Sequence, residues 1–270
     1  KYGLILSEGD GVSVNKKEAS RFFKLAIDEG NEYSMYNYGN MLYFGDGVPV
    51  NKKEAARLFK AASEKGHRQS MYNYAKMLLE GDGIPCDKKE AARIYKECAD
   101  TKGDENAMHD LADMLVIGDG IPCDKKEAAR YYRMAIDKGN KSSMYNYGLM
   151  LFEDGKKAES APLFKEAADR GHVNSMHRYA SMSFLGDGIP CDKREAARYY
   201  KMAADKGNVF SMRNYALMLN NGEGVDVDKR EAARLFKIVA DGGDVDSMNT
   251  YAYMRYTGEG VEADLEESRR

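Results

Sequence analysis

The feature that most constrains this chain is a period. Gly-Asp-Gly or Gly-Glu-Gly recurs with its first glycine at Gly9, Gly45, Gly81, Gly118, Gly186, Gly222 and Gly258. Most intervals are 36 residues and one is 37; the interval of 68 between 118 and 186 holds two units, the second shortened around FEDGKKAESAPLF. The copying is close: GDGIPCDKKEAAR occupies residues 81–93, recurs at 118–130, and returns at 186–198 with arginine for the second lysine. A period of this length marks a supersecondary unit that cannot bury its own apolar face and must stack on its neighbours. The units run 1–30, 31–66, 67–103, 104–139, 140–171, 172–207, 208–243 and 244–270. Because residues 1 and 270 both fall inside a unit, the array is expected to be a piece of a longer one.

Each unit reads as two helices. Helix A is typified by SMYNYGNMLYF, residues 34–44, where Ser34, Tyr38, Met41 and Leu42 share a face at helical spacing. Helix B is typified by KKEAARLFKAASEK, residues 52–65, with Ala55, Leu58, Phe59 and Ala62 on one face. Asn15, Asn51, Asp87, Asp124, Asp192, Asp228 and Asp264 each stand three residues before a glutamate (Glu18, Glu54, Glu90, Glu127, Glu195, Glu231, Glu267), the pattern of a reciprocal capping box. Helix B is expected to end at Gly30, Gly66, Gly103, Gly139, Gly171, Gly207 and Gly242, glycine being suited to the left-handed residue after a helix. The resulting fold class is all-α, a solenoid of stacked helix-turn-helix repeats.

The copied block can be tested as a ligand site. A phosphate loop needs Lys-Ser or Lys-Thr after its last glycine, but Gly81 and Gly83 are two apart and no such pair follows. Calcium needs six to eight oxygen ligands, whereas the block offers Asp82 and Asp87 beside two lysines. Zinc needs several Cys or His at short spacing, and each block has one cysteine. A structural joint accounts for more: Gly81 ends helix A, Gly83 permits the turn, Ile84 returns to the core, and Pro85 leads into the Asp87 cap. Cys86 aligns with Val14, Val50, Val227 and Ala263, so it is expected to fill a small apolar slot and pack towards Ala91 as a hydrophobic staple. No cofactor and no metal is expected.

Other chemistry-bearing residues point the same way. Of 16 methionines, 14 fall at two helix A positions, those of Met35 and Met41, a core stripe rather than a cofactor box. His67 and His172 follow helix-ending glycines and read as solvated turn residues; His109 and His177 share the position of Tyr36. No nucleophile, base and orienting group come together in the sequence, so an enzyme is not expected. A net charge of −3 with alternating lysines and glutamates argues against nucleic acid, and no apolar run is long enough to insert this segment in a membrane. The chain opens on Lys1 with no apolar leader, so no targeting peptide is expected in this sequence. Cys86, Cys98, Cys123 and Cys191 are read as reduced thiols, because equivalent positions in stacked hairpins should lie about 10 Å apart, beyond disulfide reach. That favours the cytoplasm, while the sequon Asn140-Lys141-Ser142 points towards the endoplasmic reticulum lumen.

The stretch SMYNYGNMLYFGDGVPVNKKEAARLFKAASEKG, residues 34–66, and its copies resemble the Sel-1-like repeat family, relatives of tetratricopeptide repeats. The resemblance covers essentially the whole chain. Tyr38 stands where the family usually has leucine, and Met35 is added. In the shortened repeat, Pro162 predicts a helix B that starts late, near Ser160, with a local change of pitch. The resemblance implies a right-handed superhelix whose A helices line a concave surface. It also implies adaptor roles such as those of family members in signalling complexes, endoplasmic-reticulum-associated degradation and cell-wall synthase regulation.

Positions 36 and 37 of helix A point away from the packed side. The candidate partner-binding residues are therefore Tyr36 and Asn37, Tyr72 and Asn73, His109 and Asp110, Tyr145 and Asn146, His177 and Arg178, and Arg213 and Asn214. Asparagine amides suit a peptide backbone and tyrosines give contact area, while Arg178 and Arg213 would favour an acidic portion of a peptide. The asparagines could instead bond across neighbouring helices and define the stack. The expected activity is a non-catalytic scaffold for a protein or peptide. The alternatives are a substrate-recruiting or regulatory arm of a larger protein and self-association through terminal repeats.

Overall fold

The computed structural model describes residues 1–9 and 11–263. Among them are fifteen helices and no strand, an all-α solenoid of helical repeats. Contacts divide the chain into two compact units, Lys1–Asn140 and Lys141–Arg270. The first holds α1 (Tyr2–Glu8), α2 (Lys16–Asp28), α3 (Glu32–Phe44), α4 (Lys52–Glu64), α5 (Arg68–Glu80), α6 (Lys88–Lys102), α7 (Glu105–Ile117) and α8 (Lys125–Asp137). The second holds α9 (Lys141–Glu153), α10 (Lys157–Asp169), α11 (Val173–Leu185), α12 (Lys193–Asp205), α13 (Val209–Asn221), α14 (Lys229–Asp241) and α15 (Val245–Thr257). Odd-numbered helices are A helices and even-numbered ones are B helices.

The periodic apolar residues form the core of each unit. Ser34, Tyr38, Met41 and Leu42 are buried, as are Ala55, Leu58, Phe59 and Ala62. Burying one leucine or phenylalanine of this set stabilises the fold by ~1.5–3 kcal/mol. Alanines at 55 and 62, fully buried, let the helices approach closely.

The capping pattern is half of a reciprocal box. Asn15, Asn51, Asp87, Asp124, Asp192 and Asp228 do accept from the N–H of the glutamate three residues on. The reverse bond is replaced. The backbone N–H of each cap residue donates instead to a carbonyl of the preceding helix A: Leu6, Leu42, Leu78, Leu115, Ser183 and Leu219. Thus relieved, Glu54, Glu90, Glu127 and Glu231 pair with the arginine one turn on, Arg57, Arg93, Arg130 and Arg234, at 2.6–2.8 Å. The Asp264–Glu267 pair lies outside the described residues.

Three further expectations are corrected. The left-handed residue after α14 is Gly243 (φ 99), not Gly242, whose φ of −81 is helical. Gly243 also restores the 36-residue spacing from Gly207. Helix α10 starts at Lys157, not near Ser160, and carries Pro162 inside it on an exposed face. The proline removes one N–H, and the carbonyl that would have received it belongs to exposed Ala158. The short loop keeps the A-to-B joint, since Lys156 N–H donates to Leu151 at 2.8 Å. Finally, Cys86 fills no apolar slot. Cys86, Cys123 and Cys191 are exposed, as are Val14, Val50 and Val227, and each thiol donates to a helix A carbonyl (Leu79, Val116, Phe184) at 3.2–3.3 Å. The position leans on the helix-ending glycine: a Cβ on Gly45 would sit 2.7 Å from Val50 Cγ2.

The second glycine of the motif sets the stacking. Gly83 (φ 78) lies so near the first turn of α4 that a Cβ there would fall 2.4 Å from Lys52 Cβ and 3.0 Å from its carbonyl carbon. Gly47, Gly120, Gly188, Gly224 and Gly260 repeat this against Lys16, Lys88, Lys157, Lys193 and Lys229. The acid between the glycines pairs with the same lysine: Lys52 to Asp82 at 2.7 Å, Lys88 to Asp119 at 2.6 Å, Lys157 to Asp187 at 2.8 Å, Lys193 to Glu223 at 2.9 Å, Lys229 to Glu259 at 2.7 Å, and Lys16 to Asp46. Gly11 has the same backbone (φ 73) with nothing within 4 Å. Both Gly11→Ala and Gly83→Ala incur the left-handed penalty of about 1–2 kcal/mol. Gly83→Ala adds the clash, so its thermal midpoint should fall clearly below that of Gly11→Ala.

Candidate partner-binding surface on the A helices

The twelve candidate residues are all half-buried, and positions 36 and 37 do different things. Position 36 turns towards the start of the next A helix or the rings beneath it. The Tyr36 ring lies 4.8 Å from His67, and Tyr145 lies 4.9 Å from His172. His177 Nδ1 is 2.9 Å from Ser211 Oγ, and Arg213 pairs with Asp246 at 2.6 Å and Asp244 at 3.8 Å. Tyr72 stacks 5.7 Å from Tyr95, and His109 lies 6.2 Å from Tyr132 with Nε2 3.5 Å from Asp113. In four of the six copies, then, this position bridges consecutive A helices.

Position 37 is divided. Asn37 Nδ2 donates to Tyr33 O in its own helix at 2.8 Å, and Asn214 lies near the Tyr200 hydroxyl, which pairs with Ser181 Oγ at 2.9 Å. The Arg178 guanidinium carbon lies over Phe152, 5.3 Å from the ring centre, and Asn146 sits on α9. Asp110 is the acid of the series. Burial holds its carboxyl above the usual carboxylate range, against a hydrogen bond with Tyr72. The same burial and the same carboxylate push Tyr72 and Tyr95 upwards, the Tyr95 hydroxyl lying within electrostatic reach of Asp110 but outside hydrogen-bonding geometry.

Two grooves between consecutive A helices use the amides. One, of about 520 Å³ between α1 and α3, is lined by Asn37, Asn40, Phe44, Ser7 and Glu8 among others. Another, of about 210 Å³ between α3 and α5, is lined by Asn40, Asn73, Phe44, Tyr43 and Lys76. Phe44, 73% exposed, is common to both. Sequence reasoning passed over Phe44 because it ends helix A outside the apolar stripe. The signal was the apolar residue left next to the helix-ending glycine at Phe44, Ile117 and Leu185, all exposed.

A family model for the Sel1 repeat matches residues 1–31, 32–67, 68–100, 106–140, 141–172, 173–208, 209–244 and 245–270. The chain belongs to the Sel1-repeat family. Repeats of this family generally mediate protein–protein interaction, and the fold is generally a non-catalytic scaffold. Among solved structures, this Sel1-repeat chain is similar to the Sel1 repeat protein from Oxalobacter formigenes, with a TM-score of 0.82 at 22% identity over 94% of this chain and 75% of that one. It is also similar to c5321, a protective antigen of uropathogenic Escherichia coli with an SLR fold, with a TM-score of 0.65 at 23% identity over 98% of this chain. It spans 65% of the length of c5321. A TPR repeat-containing protein from Cytophaga hutchinsonii matches with a TM-score of 0.56 at 14% identity, over 92% of this chain and 97% of that one. These likenesses establish the fold. A search of curated protein sequences finds no match. No helix among the described residues is long and apolar enough to cross a membrane.

The Sel1 repeats also place their histidines unexpectedly. His67 and His172 are not solvated turn residues. Each caps an A helix, its Nδ1 accepting from the N–H of Ser70 or Ser175 at 3.2 and 3.3 Å. Asn31, Asn208 and Asp244 cap α3, α13 and α15 in the same way. An imidazole can accept there only when neutral, and burial lowers the pKa of both histidines. The unfolded chain therefore binds a proton that the folded chain refuses. The caps' contribution is complete above the ordinary imidazole pKa of about 6.5 and is lost as pH falls through it towards the lower native value. Between pH 7.5 and 5.5, His67→Asn should flatten the loss of thermal midpoint seen in the wild type. A slope equal to that of the wild type would refute the cap's role in acid sensitivity.

Proposed function

We propose that this chain is a non-catalytic scaffold that binds a peptide or protein segment along its A helices. The observation that carries this reading is Phe44, a large exposed ring set between the amides of Asn37, Asn40 and Asn73 in two adjoining grooves. An aromatic anchor with amides beside it combines buried apolar area with groups that can pair a peptide backbone. Tyr36, Tyr145, His177 and Arg213 then serve the surface chiefly by fixing the spacing of the A helices, while Tyr72 and His109 pack on the B-helix rings Tyr95 and Tyr132. In the second unit, Arg178 is the residue for an acidic side chain, its guanidinium already oriented by Phe152. Arg213 has two aspartates around it, so an acidic partner must displace them. A role as the recruiting arm of a larger protein is compatible with the greater length of c5321.

The test uses the whole chain as bait, followed by titration of the recovered partner. Phe44→Ala with Asn73→Ala should weaken binding at least about tenfold, the loss of a hot spot worth ~1.4 kcal/mol or more. Arg178→Glu should weaken an acidic partner further and flatten the dependence on salt, because an attraction that salt screens is replaced by a repulsion that salt relieves. Binding unchanged in all three substitutions would remove the A-helix surface from consideration.

A further inference from the structure

Helix α7 carries acids at two positions where the other A helices of its unit carry none. Position 37 is Asn37 on α3 and Asn73 on α5 but Asp110 on α7, and position 40 is Asn40 and Lys76 but Asp113. Asp110 and Asp113 stand three residues apart on one face, a spacing at which like charges repel. Both have an outlet to solvent: the Asp113 side chain is 38% exposed, and Asp110 is half-buried. Among the described residues no lysine or arginine pairs with Asp110. Lys76, the cation on α5, pairs instead with Glu80 of its own helix at 3.9 Å.

On the protein side of Asp110 a hydroxyl is unspent. Tyr95 on α6 is fully buried, and its hydroxyl has no hydrogen-bond partner. Its sisters have one: Tyr132 donates to Asp113 and Tyr200 pairs with Ser181, both at position 40 of helix A. For Tyr95 that position is Lys76, an ammonium that cannot accept, and the charge bearing most on Tyr95 is that of Asp110. The interior therefore holds an unpaired hydroxyl beside a carboxyl that replaces an asparagine, and both cost stability. Stability given up at one point of a regular array marks a place selected for something other than folding.

We propose that Asp110, with Asp113 at its solvent side, receives a basic side chain, lysine or arginine, of the protein segment bound along the A helices. The inference rests on the reading of those helices as the binding surface and adds the chemistry of the partner. The incoming cation supplies the countercharge that the chain itself does not, in a charge-assisted bond to Asp110. With the carboxyl held ionised from the front, the Tyr95 hydroxyl gains an acceptor behind it. The segment selected in this way carries its basic residue two A helices beyond the part that meets Phe44 on α3.

The test follows the side-chain carboxyl carbons of Asp110 and Asp113 by NMR while the full chain is titrated with n-propylguanidinium, the head of arginine, and with neutral n-propylurea. Saturable shifts are expected for the guanidinium, at least about fivefold tighter than for the urea and weakening as salt rises. Asp110→Asn, which restores the residue of the sister repeats, should abolish the response at Asp113 while keeping or raising the thermal midpoint at pH 7. Equal affinity for the two probes, a response undiminished in Asp110→Asn, or a midpoint that falls in that variant overturns the proposal. Peptides selected from a random library against the wild type and counter-selected against Asp110→Asn should be enriched in lysine or arginine; a pool without that enrichment overturns it as well. Spermidine bound more tightly than those peptides would assign the site to a polyamine and overturn the partner assignment. Peptides selected on the wild type alone whose binding falls in Phe44→Ala and not in Asp110→Asn overturn this inference and leave the A-helix reading standing.

Discussion

The contact on which each unit depends is the approach of a loop backbone to the first turn of the preceding B helix. Gly83 on Lys52, and its five equivalents, bring backbone to backbone with no side chain between. The ion pair beside each contact cannot be the main cause of the stacking, because pairs this exposed are screened and weak. It acts as a locator: the lysine is drawn to the acid only when the glycine has let the loop come down. Tyr43 adds to one of these joints, donating to Asp82 at 2.6 Å and being pushed up to about 12 by that hydrogen bond. Close-packed cores such as Leu58, Phe59 and Ala62 then follow, since helices held at this distance leave room for little more than the residues they carry.

Much of the fold was legible because a repeat prints its own alignment. The period, the two helices per unit and the buried faces all follow from spacing within one copy. What was not legible lies between helices, within a copy and from one copy to the next. The N-cap N–H could have gone to the glutamate, and nothing in the letters says that the carbonyl of Leu42 or Leu78 takes it. Likewise, helical spacing turns Tyr36 away from its own core, but only the neighbouring repeat shows that it lands on His67. His67 itself was misread because histidine is an uncommon cap, although Asn31, Asn208 and Asp244 at the same position carry the hint.

This division also limits where specificity can sit. The most faithfully copied polar letters are already occupied: the lysine–acid pairs join neighbouring repeats, and the caps and the glutamate–arginine pairs fix the helices within each repeat. Cys86 and its copies, exposed beside the loop, do no more than rest on a glycine and donate to a carbonyl. A scaffold of this kind distinguishes partners through the positions where its copies disagree, because only there do the joints not dictate the residue.

Helix α7 is where the disagreements gather. Asp110 and Leu111 are consecutive, one replacing an amide and the other a tyrosine, and they point to different neighbours. A carboxyl buried at 110 would be costly alone. The Tyr72 hydrogen bond and the nearby His109 offset part of that cost. The leucine at 111 leaves the Lys96 bond to Tyr131 as it is in the second unit, where Lys165 bonds Tyr199 beside Tyr179, and Leu111 itself stays buried. Neither change touches the glycine contact of Gly120 on Lys88 or the Asp124 cap, so the stack is preserved on both sides of α7. A repeat array can therefore alter one helix on two faces at once, provided that the joints above and below it are left as they were.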